Sequence, residues 1–158
     1  MITESSERCL VLAPTGRDAS LIVSLLSELN VACHICGEIS QISEQLLLGA
    51  GLAILAEEAL RSVHLFPLAR WLRHQQAWSD LPIILLTHRG GISAQEPELV
   101  QFTNLLGNVS FLERPFHPET LASMVRSAAR SRHRQYEARA RHQEIIEREH
   151  QLDRKSVV

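Results

Sequence analysis

The sequence predicts an α/β fold in which helices cover both faces of a parallel sheet. Short apolar runs alternate five times with helical patterns along 158 residues. The runs near 52–56 and 83–86 are apolar at every position, which favours strands that are buried on both faces. Glycine and proline mark the breaks between the segments. This alternation predicts a doubly wound fold with right-handed crossovers.

The first two strands and helices lie within residues 9–49. A strand is predicted at 9–13, where an apolar run meets the turn signal Pro14-Thr15-Gly16. Asp18 is the expected N-cap of the following helix. The buried face of that helix carries apolar residues at helical spacing, namely Ile22, Leu25, Leu26 and Leu29. A second strand is predicted at 31–36, and Ser40 is the expected cap of a helix that buries Ile42, Leu46 and Leu47.

Three more strands complete the predicted sheet. The third spans 51–56 and ends at the acidic pair Glu57-Glu58, and the helix after it spans 63–76 with Leu68, Trp71 and Leu72 on its buried side. The fourth spans 83–87 and is followed by a helix at 96–106. The fifth spans 109–113, and a last helix begins near Pro118. Five strands in a chain of this length favour the flavodoxin-like strand order 2-1-3-4-5.

The chain changes character near residue 126, because no glycine or proline follows. Residues spaced alternately by three and four form a heptad seam with a polar middle: Leu121, Met124, Ala128, Ser131, Gln135, Ala138, His142, Ile145, Glu149 and Leu152. The pattern predicts one extended C-terminal helix and a parallel homodimer. We place the domain at 1–128 and a helical, coiled-coil-like linker at 129–158, and we expect a further module downstream of it.

Composition excludes several classes of function. A formal net charge of −2 argues against a nucleic-acid partner. No apolar run reaches the roughly 20 residues of a membrane span, so this segment is expected to make no membrane contact. The first eight residues lack a signal-peptide core, and an odd number of cysteines, three, favours a reducing compartment. We therefore expect a cytoplasmic protein.

The carboxyl edge of the predicted sheet resembles that of response-regulator receiver domains. Thr87 ends the fourth strand, where the family has Thr or Ser, and Arg114-Pro115-Phe116 follows the fifth strand, where the family has Lys-Pro-Phe. Phe111 occupies the position of the family's switch aromatic residue, three before Arg114. The run from Pro115 to Leu121 matches the entry into the last receiver helix. The resemblance covers residues 8–128 and implies the receiver fold and a non-enzymatic role in two-component signalling.

The departures from the receiver pattern are as informative as the matches. Ala13 and Pro14 stand where receivers hold magnesium with acids, and Ala56 stands where the phosphoaccepting Asp ends the third strand. Magnesium needs oxygen ligands, and aspartyl-phosphate chemistry needs a carboxylate. Arg114 replaces the family's Lys. The resemblance to receivers, together with these departures, therefore implies a pseudo-receiver that holds no metal or cofactor and acts independently of phosphorylation. It further implies that the domain belongs to a bacterial sensor histidine kinase.

Two further expectations concern the acids and the basic residue at this edge. Successive strand side chains alternate between faces, so Glu57 is not expected to take the place of residue 56. Arg114 is expected to pair with Glu57 or Glu58 because its usual anionic partners are missing. The resemblance also implies a cis bond between Arg114 and Pro115, since the matching bond in receivers is typically cis.

Several alternatives compete with this interpretation. The regulatory domain of a cyclic-dinucleotide enzyme is a second possible parent. The loop from Pro14 to Asp18 lies where flavodoxins bind the FMN phosphate, so a flavodoxin-like cofactor binder is an alternative of a different class. Cys33 and Cys36 form a C-x-x-C, but an odd spacing in a strand places them on opposite faces, which argues against a redox or metal pair.

The long helix also carries features that other classes of protein share. Its basic first half is followed by acids that supply ion-pair partners, so we interpret it as a solvated dimerisation helix rather than a DNA-binding one. His142 and His150 lack the Glu-Leu-Arg-Thr-Pro sequence that follows a kinase phosphoacceptor. We therefore predict that neither histidine accepts phosphate.

Overall fold

The computed structural model contains one five-stranded parallel sheet in the order β2-β1-β3-β4-β5, which confirms the predicted fold. The structure describes residues 6–14, 16–61, 65–88, 100, 104 and 106–156. The strands are β1 (Cys9–Leu12), β2 (Cys33–Ile35), β3 (Leu52–Ala56), β4 (Ile83–Thr87) and β5 (Val109–Glu113). The helices in the described part are α1 (Asp18–Glu28), α2 (Ile39–Leu46), α3 (Leu65–Arg73) and α4 (Pro118–Ser156). The helix predicted at 96–106 falls largely outside the described residues.

Alternating side chains of the strands form two aliphatic cores, one on each face of the sheet. Leu10, Leu55 and Leu85 face α2 and α3. Val11, Ile54 and Ile84 face α1 and α4. Every residue of β3 and β4 is buried, because helices cover both sides of these central strands. None of the described helices is both long enough and apolar enough to cross a membrane.

The structure corrects two predicted helix caps. Arg17, rather than Asp18, is the N-cap of α1, and the Asp18 carboxylate instead contacts Arg114 at 3.2 Å. Glu38 is the N-cap of α2, and the Ser40 hydroxyl donates a hydrogen bond to its carboxylate at 2.7 Å. In both helices the side chain predicted as the cap instead contacts a charged side chain.

Two further differences arise at the edges of elements. Strand β2 is three residues long rather than six, because its apolar run continues into the connections on either side. Leu47 is 63% exposed, since it is the C-cap of α2 and lies past the last turn that faces the core. Apolar character alone therefore overestimated the length of β2 and the burial of Leu47.

Helix α4 has 39 residues and is about 58 Å long. It begins at the carboxyl edge of the sheet, crosses the sheet, and continues past the amino edge. Its most buried residues are Leu121, Ala122, Val125, Arg132 and Tyr136. Met124 and Ala128 of the predicted seam are half-buried against the core, whereas Ala138, Ile145 and Leu152 are exposed. The boundary at residue 128 stays a prediction, and α4 contacts the domain as far as Arg139.

Candidate functional site

The ends of four parallel strands bring the predicted site positions to one edge of the sheet. Ala13 and Ala56 are buried, and Pro14 is exposed. Thr87, at the end of β4, is also buried. Since Ala13, Pro14 and Ala56 carry no polar side-chain atom, their side chains offer neither a metal ligand nor a nucleophile.

Arg114 is the centre of the charged contacts at this edge. Its Nη1 and Nη2 donate to the two carboxylate oxygens of Glu58 at 2.8 and 2.6 Å, and Nη1 also lies 3.2 Å from Asp18. Its Nε donates to the Thr87 carbonyl oxygen at 3.2 Å. The hydrogen bond to Glu58, followed by the pairing with Asp18, raises the pKa of Arg114 against the opposing effect of burial. The predicted pairing of Arg114 with an acid and the predicted cis Arg114–Pro115 bond are both confirmed.

Glu57 makes a separate contact with the residue after β4. It is the first residue of a 3-10 helix (Glu57–Arg61) and is only 4% exposed. Its Oε1 accepts a hydrogen bond from the backbone N–H of His88 at 3.1 Å and pairs with the His88 ring nitrogen Nδ1. Its Oε2 is buried and has no hydrogen-bond partner among the described residues. Glu57 therefore links β3 to the end of β4, while Glu58 neutralises Arg114.

The remaining predicted positions differ in exposure. Phe111, which the sequence resemblance placed at the receiver switch position, lies in edge strand β5 and is 53% exposed. Cys33 packs toward the core under α1, and Cys36 belongs to the core under α2 and α3. The two cysteines thus face opposite sides of the sheet, as predicted. Burial raises the pKa of Cys36 to about 11, so its thiol is not activated.

A second cluster, which sequence reasoning missed, holds α4 against the opposite edge of the sheet. We call it the arginine clamp; it comprises Trp78, Arg132, Tyr136 and Arg139. The guanidinium carbon of Arg132 lies 5.4 Å from the Trp78 ring centroid and 4.9 Å from that of Tyr136. The Arg139 guanidinium lies 4.9 Å from Trp78, on which it forms another cation–π contact.

Hydrogen bonds fix the arginine clamp to the domain. Arg132 is 3% exposed, and it donates to the Ala50 carbonyl oxygen at 3.1 Å and to Ser79 Oγ at 2.8 Å. It also donates to Gln135 Oε1 at 2.8 Å. The Gln135 side chain accepts a hydrogen bond from the Asp80 backbone N–H and donates one to the Asp80 carbonyl oxygen. The Tyr136 hydroxyl lies 2.5 Å from the Ser6 carbonyl oxygen and 3.1 Å from the Ala50 carbonyl oxygen. Burial lowers the pKa of Arg132. The clamp therefore joins α4 to the segments that precede β3 and β4.

Structural comparison places the chain among proteins that share this fold. A signal receiver domain of an HD domain-containing protein from Pseudomonas fluorescens Pf-5 aligns with a TM-score of 0.65 at 20% identity, over 85% of this chain and 95% of the other. Full-length FixJ from B. japonicum aligns with a TM-score of 0.62 at 23% identity, over 91% of this chain and 68% of FixJ. A sensor protein from Polaromonas sp. JS666 aligns with a TM-score of 0.60 at 20% identity, over 80% and 98%.

These similarities establish the fold alone. The neighbours include receiver domains, and each is less than 25% identical to this chain. No protein-family model matches the sequence, and no curated protein matches it. Function is therefore inferred from the chemistry of the charged site around Arg114 and of the arginine clamp.

Proposed function

We propose that this chain is a cytoplasmic regulatory and dimerisation module of a two-component signalling protein, and that it works without phosphorylation. The observation that carries the proposal is Ala56, which ends β3 at the position of the receiver phosphoacceptor and is fully buried. An alanine at that position supplies no carboxylate for an acyl phosphate.

The ion pairs of Arg114 support the same conclusion. In receivers a basic residue after the fifth strand serves the phosphoryl group, and here Arg114 is already engaged by Glu58 and Asp18. A phosphoryl group at this edge would have to compete with a bidentate carboxylate for the same guanidinium. The positive charge of Arg114 is thus already neutralised by carboxylates of the same chain. This fits a domain whose conformation does not respond to phosphate.

We predict that acetyl phosphate with magnesium adds no phosphoryl group to this chain. A receiver domain with an intact aspartate, treated in parallel, shows that the reagent is active. Intact-mass spectrometry measures the outcome. A stoichiometric, hydroxylamine-labile adduct on the wild-type chain would refute phosphorylation independence, and peptide mapping would then identify Glu57 or Glu58 as the acceptor.

The far half of α4 supports the dimerisation part of the proposal. Residues 140–155 are exposed on every side, and Ile145, Ile146 and Leu152 present apolar surface to water. Tertiary packing supplies most of the stability of helices in proteins, and the described domain provides none to this exposed stretch. Because Ile145 and Leu152 are seven residues apart, a second copy of α4 running parallel would cover both. The paired helices would connect the domain to a downstream sensor or kinase module of a histidine kinase.

We expect the whole chain to dimerise at tens of micromolar in sedimentation equilibrium. Truncation after Arg141 removes Ile145 and Leu152 but retains the arginine clamp, so it should weaken the dimer without unfolding the domain. The matched variant I145S/L152S should behave like the truncation, whereas E147S/Q151S, altered on another face, should dimerise like the wild type. A monomeric wild type would refute the dimer, and a truncated chain that dimerises equally well would assign the interface to the domain instead.

A further inference from the structure

Two cysteines that are distant in sequence are register partners on neighbouring strands. Cys9 begins β1 and Cys33 begins β2, and the two residues lie opposite each other in the parallel pair. Both side chains face the core under α1. The third cysteine, Cys36, lies on the other face of the sheet. The sheet therefore pairs Cys33 with Cys9, rather than with its neighbour in the C-x-x-C sequence.

The strand spacing brings this pair within reach of a disulfide bond. Neighbouring strands lie about 4.8 Å apart, and the Cα atoms of a disulfide are usually about 4.4–6.8 Å apart. The Cβ atoms of parallel partners are farther apart than the roughly 3.8 Å that a relaxed disulfide prefers. Closing the bond therefore requires β2 to shift slightly toward β1. Strand β2 has three residues and forms an edge of the sheet, bonded only to β1, so it can make this shift.

We propose that Cys9 and Cys33 form a reversible disulfide when the chain meets a peroxide. Cys33 is half-buried and reaches solvent, whereas Cys9 is fully buried. The roles follow from this difference. Cys33 is the sulfur that the oxidant attacks first, and Cys9 is the resolving thiol. Burial raises the pKa of Cys9, so this thiol does not react with the oxidant directly and gives up its proton only as the S–S bond forms.

The reaction balances in two steps. The Cys33 thiolate attacks one oxygen of the peroxide, so that an S–O bond forms, the O–O bond breaks, and the hydroxide released takes up a proton to become water. The Cys9 sulfur then attacks the Cys33 sulfenic acid. An S–S bond forms and the S–O bond breaks, and the departing hydroxide leaves with the Cys9 proton as a second water. The two sulfurs lose two electrons, which the peroxide gains.

The strain of this bond should make it easy to reduce, as a reversible regulatory disulfide must be. Disulfides with unfavourable geometry are more easily reduced than relaxed structural ones. The bond would tie edge strand β2 to β1 beneath α1. Helix α1 begins with Asp18, a partner of Arg114 at the carboxyl edge. The cysteine pair therefore packs against α1, the same helix whose Asp18 contacts Arg114 at the carboxyl edge.

The test is oxidation of the full chain by hydrogen peroxide in modest excess, under conditions in which circular dichroism shows it folded. The expected product has lost two hydrogen atoms, retains one of its three free thiols, and yields a Cys9–Cys33 cross-linked peptide. Dithiothreitol should restore all three. C36S should give the same bridge, whereas C9A and C33S should give none.

Other products would overturn the proposal. These are a Cys33–Cys36 bridge, a dimer linked through Cys33, Cys33 that stops at sulfinic acid, and a bridge that forms only in urea. Mapping of the wild-type product decides among these outcomes even if C9A fails to fold. Because none of the readouts involves phosphate or the C-terminal seam, failure here is separate from failure of the proposed function.

Discussion

Replacing Arg132 by methionine should lower the free energy of unfolding by about 3 kcal/mol. The substitution removes three hydrogen bonds donated from a buried cation and the cation–π contacts with Trp78 and Tyr136. Methionine fills much of the same volume, so the loss reflects the polar contacts rather than a cavity. Urea denaturation monitored by circular dichroism measures the change from the transition midpoint at unchanged slope.

Two matched variants show whether the effect belongs to the arginine clamp. Arg130→Met changes an exposed arginine of the same helix and should alter stability by less than about 0.5 kcal/mol. Arg132→Lys keeps the charge but loses the planar stacking and the fork of donors, so it should fall between wild type and Arg132→Met. If Arg132→Met is as stable as Arg130→Met, the clamp contributes nothing to folding and the assignment is wrong.

Replacing Arg114 by methionine should cost about 2 kcal/mol at neutral pH. It leaves the carboxylates of Glu58 and Asp18 near each other without their shared cation. The three side chains are between 17% and 29% exposed, so the expected loss lies between those of surface and buried ion pairs. A double-mutant cycle with Glu58→Gln should show a coupling energy of about 1–2 kcal/mol.

Arg126 and Glu119 provide the internal control for this cycle. Their charged groups are 3.9 Å apart and their side chains are 49% and 77% exposed, so the coupling should be below about 0.5 kcal/mol. Additive effects of Arg114→Met and Glu58→Gln would show that the bidentate contact is not formed in solution. Arg114 would then be available to a phosphoryl group, and Ala56 alone would support phosphorylation independence.

The sheet could be predicted because its central strands are apolar at every position. The fifth strand was predicted at its observed limits, Val109–Glu113, and the fourth at Ile83–Thr87. Edge strand β2 was overestimated because an apolar run marks burial without showing where strand pairing stops. The pairing of Arg114 with Glu57 or Glu58 was expected because the usual anionic partners of this basic residue are missing, and the structure shows that the partner is Glu58. The contribution of Asp18 was not expected, since it depends on the path of a connection.

The arginine clamp was not predictable from helical periodicity. Arg132 is one of six arginines between residues 126 and 141, and nothing in its own sequence distinguishes it from the exposed ones. Its burial depends on where the segment around Trp78 lies in space. One signal was present, since Trp78 is a large aromatic residue within a polar connection between α3 and β4. Leu121 and Gln135 of the heptad pattern do contact the domain, but the pattern does not include Arg132 and Tyr136, which each lie one position after a seam residue.

The reach of α4 beyond the arginine clamp makes it a cantilever. The 17 residues after Arg139 project about 26 Å from the last contact with the domain. A tilt of about 10° at this contact would carry the free end through roughly 4.5 Å, by the geometry of a rigid rod of that length. Rearrangements too small to disturb the packing of the domain would thus arrive at the far end as displacements comparable to a full helical turn. The position of the far end therefore depends on the stiffness of the arginine clamp, to which the contact between Trp78 and Arg132 contributes.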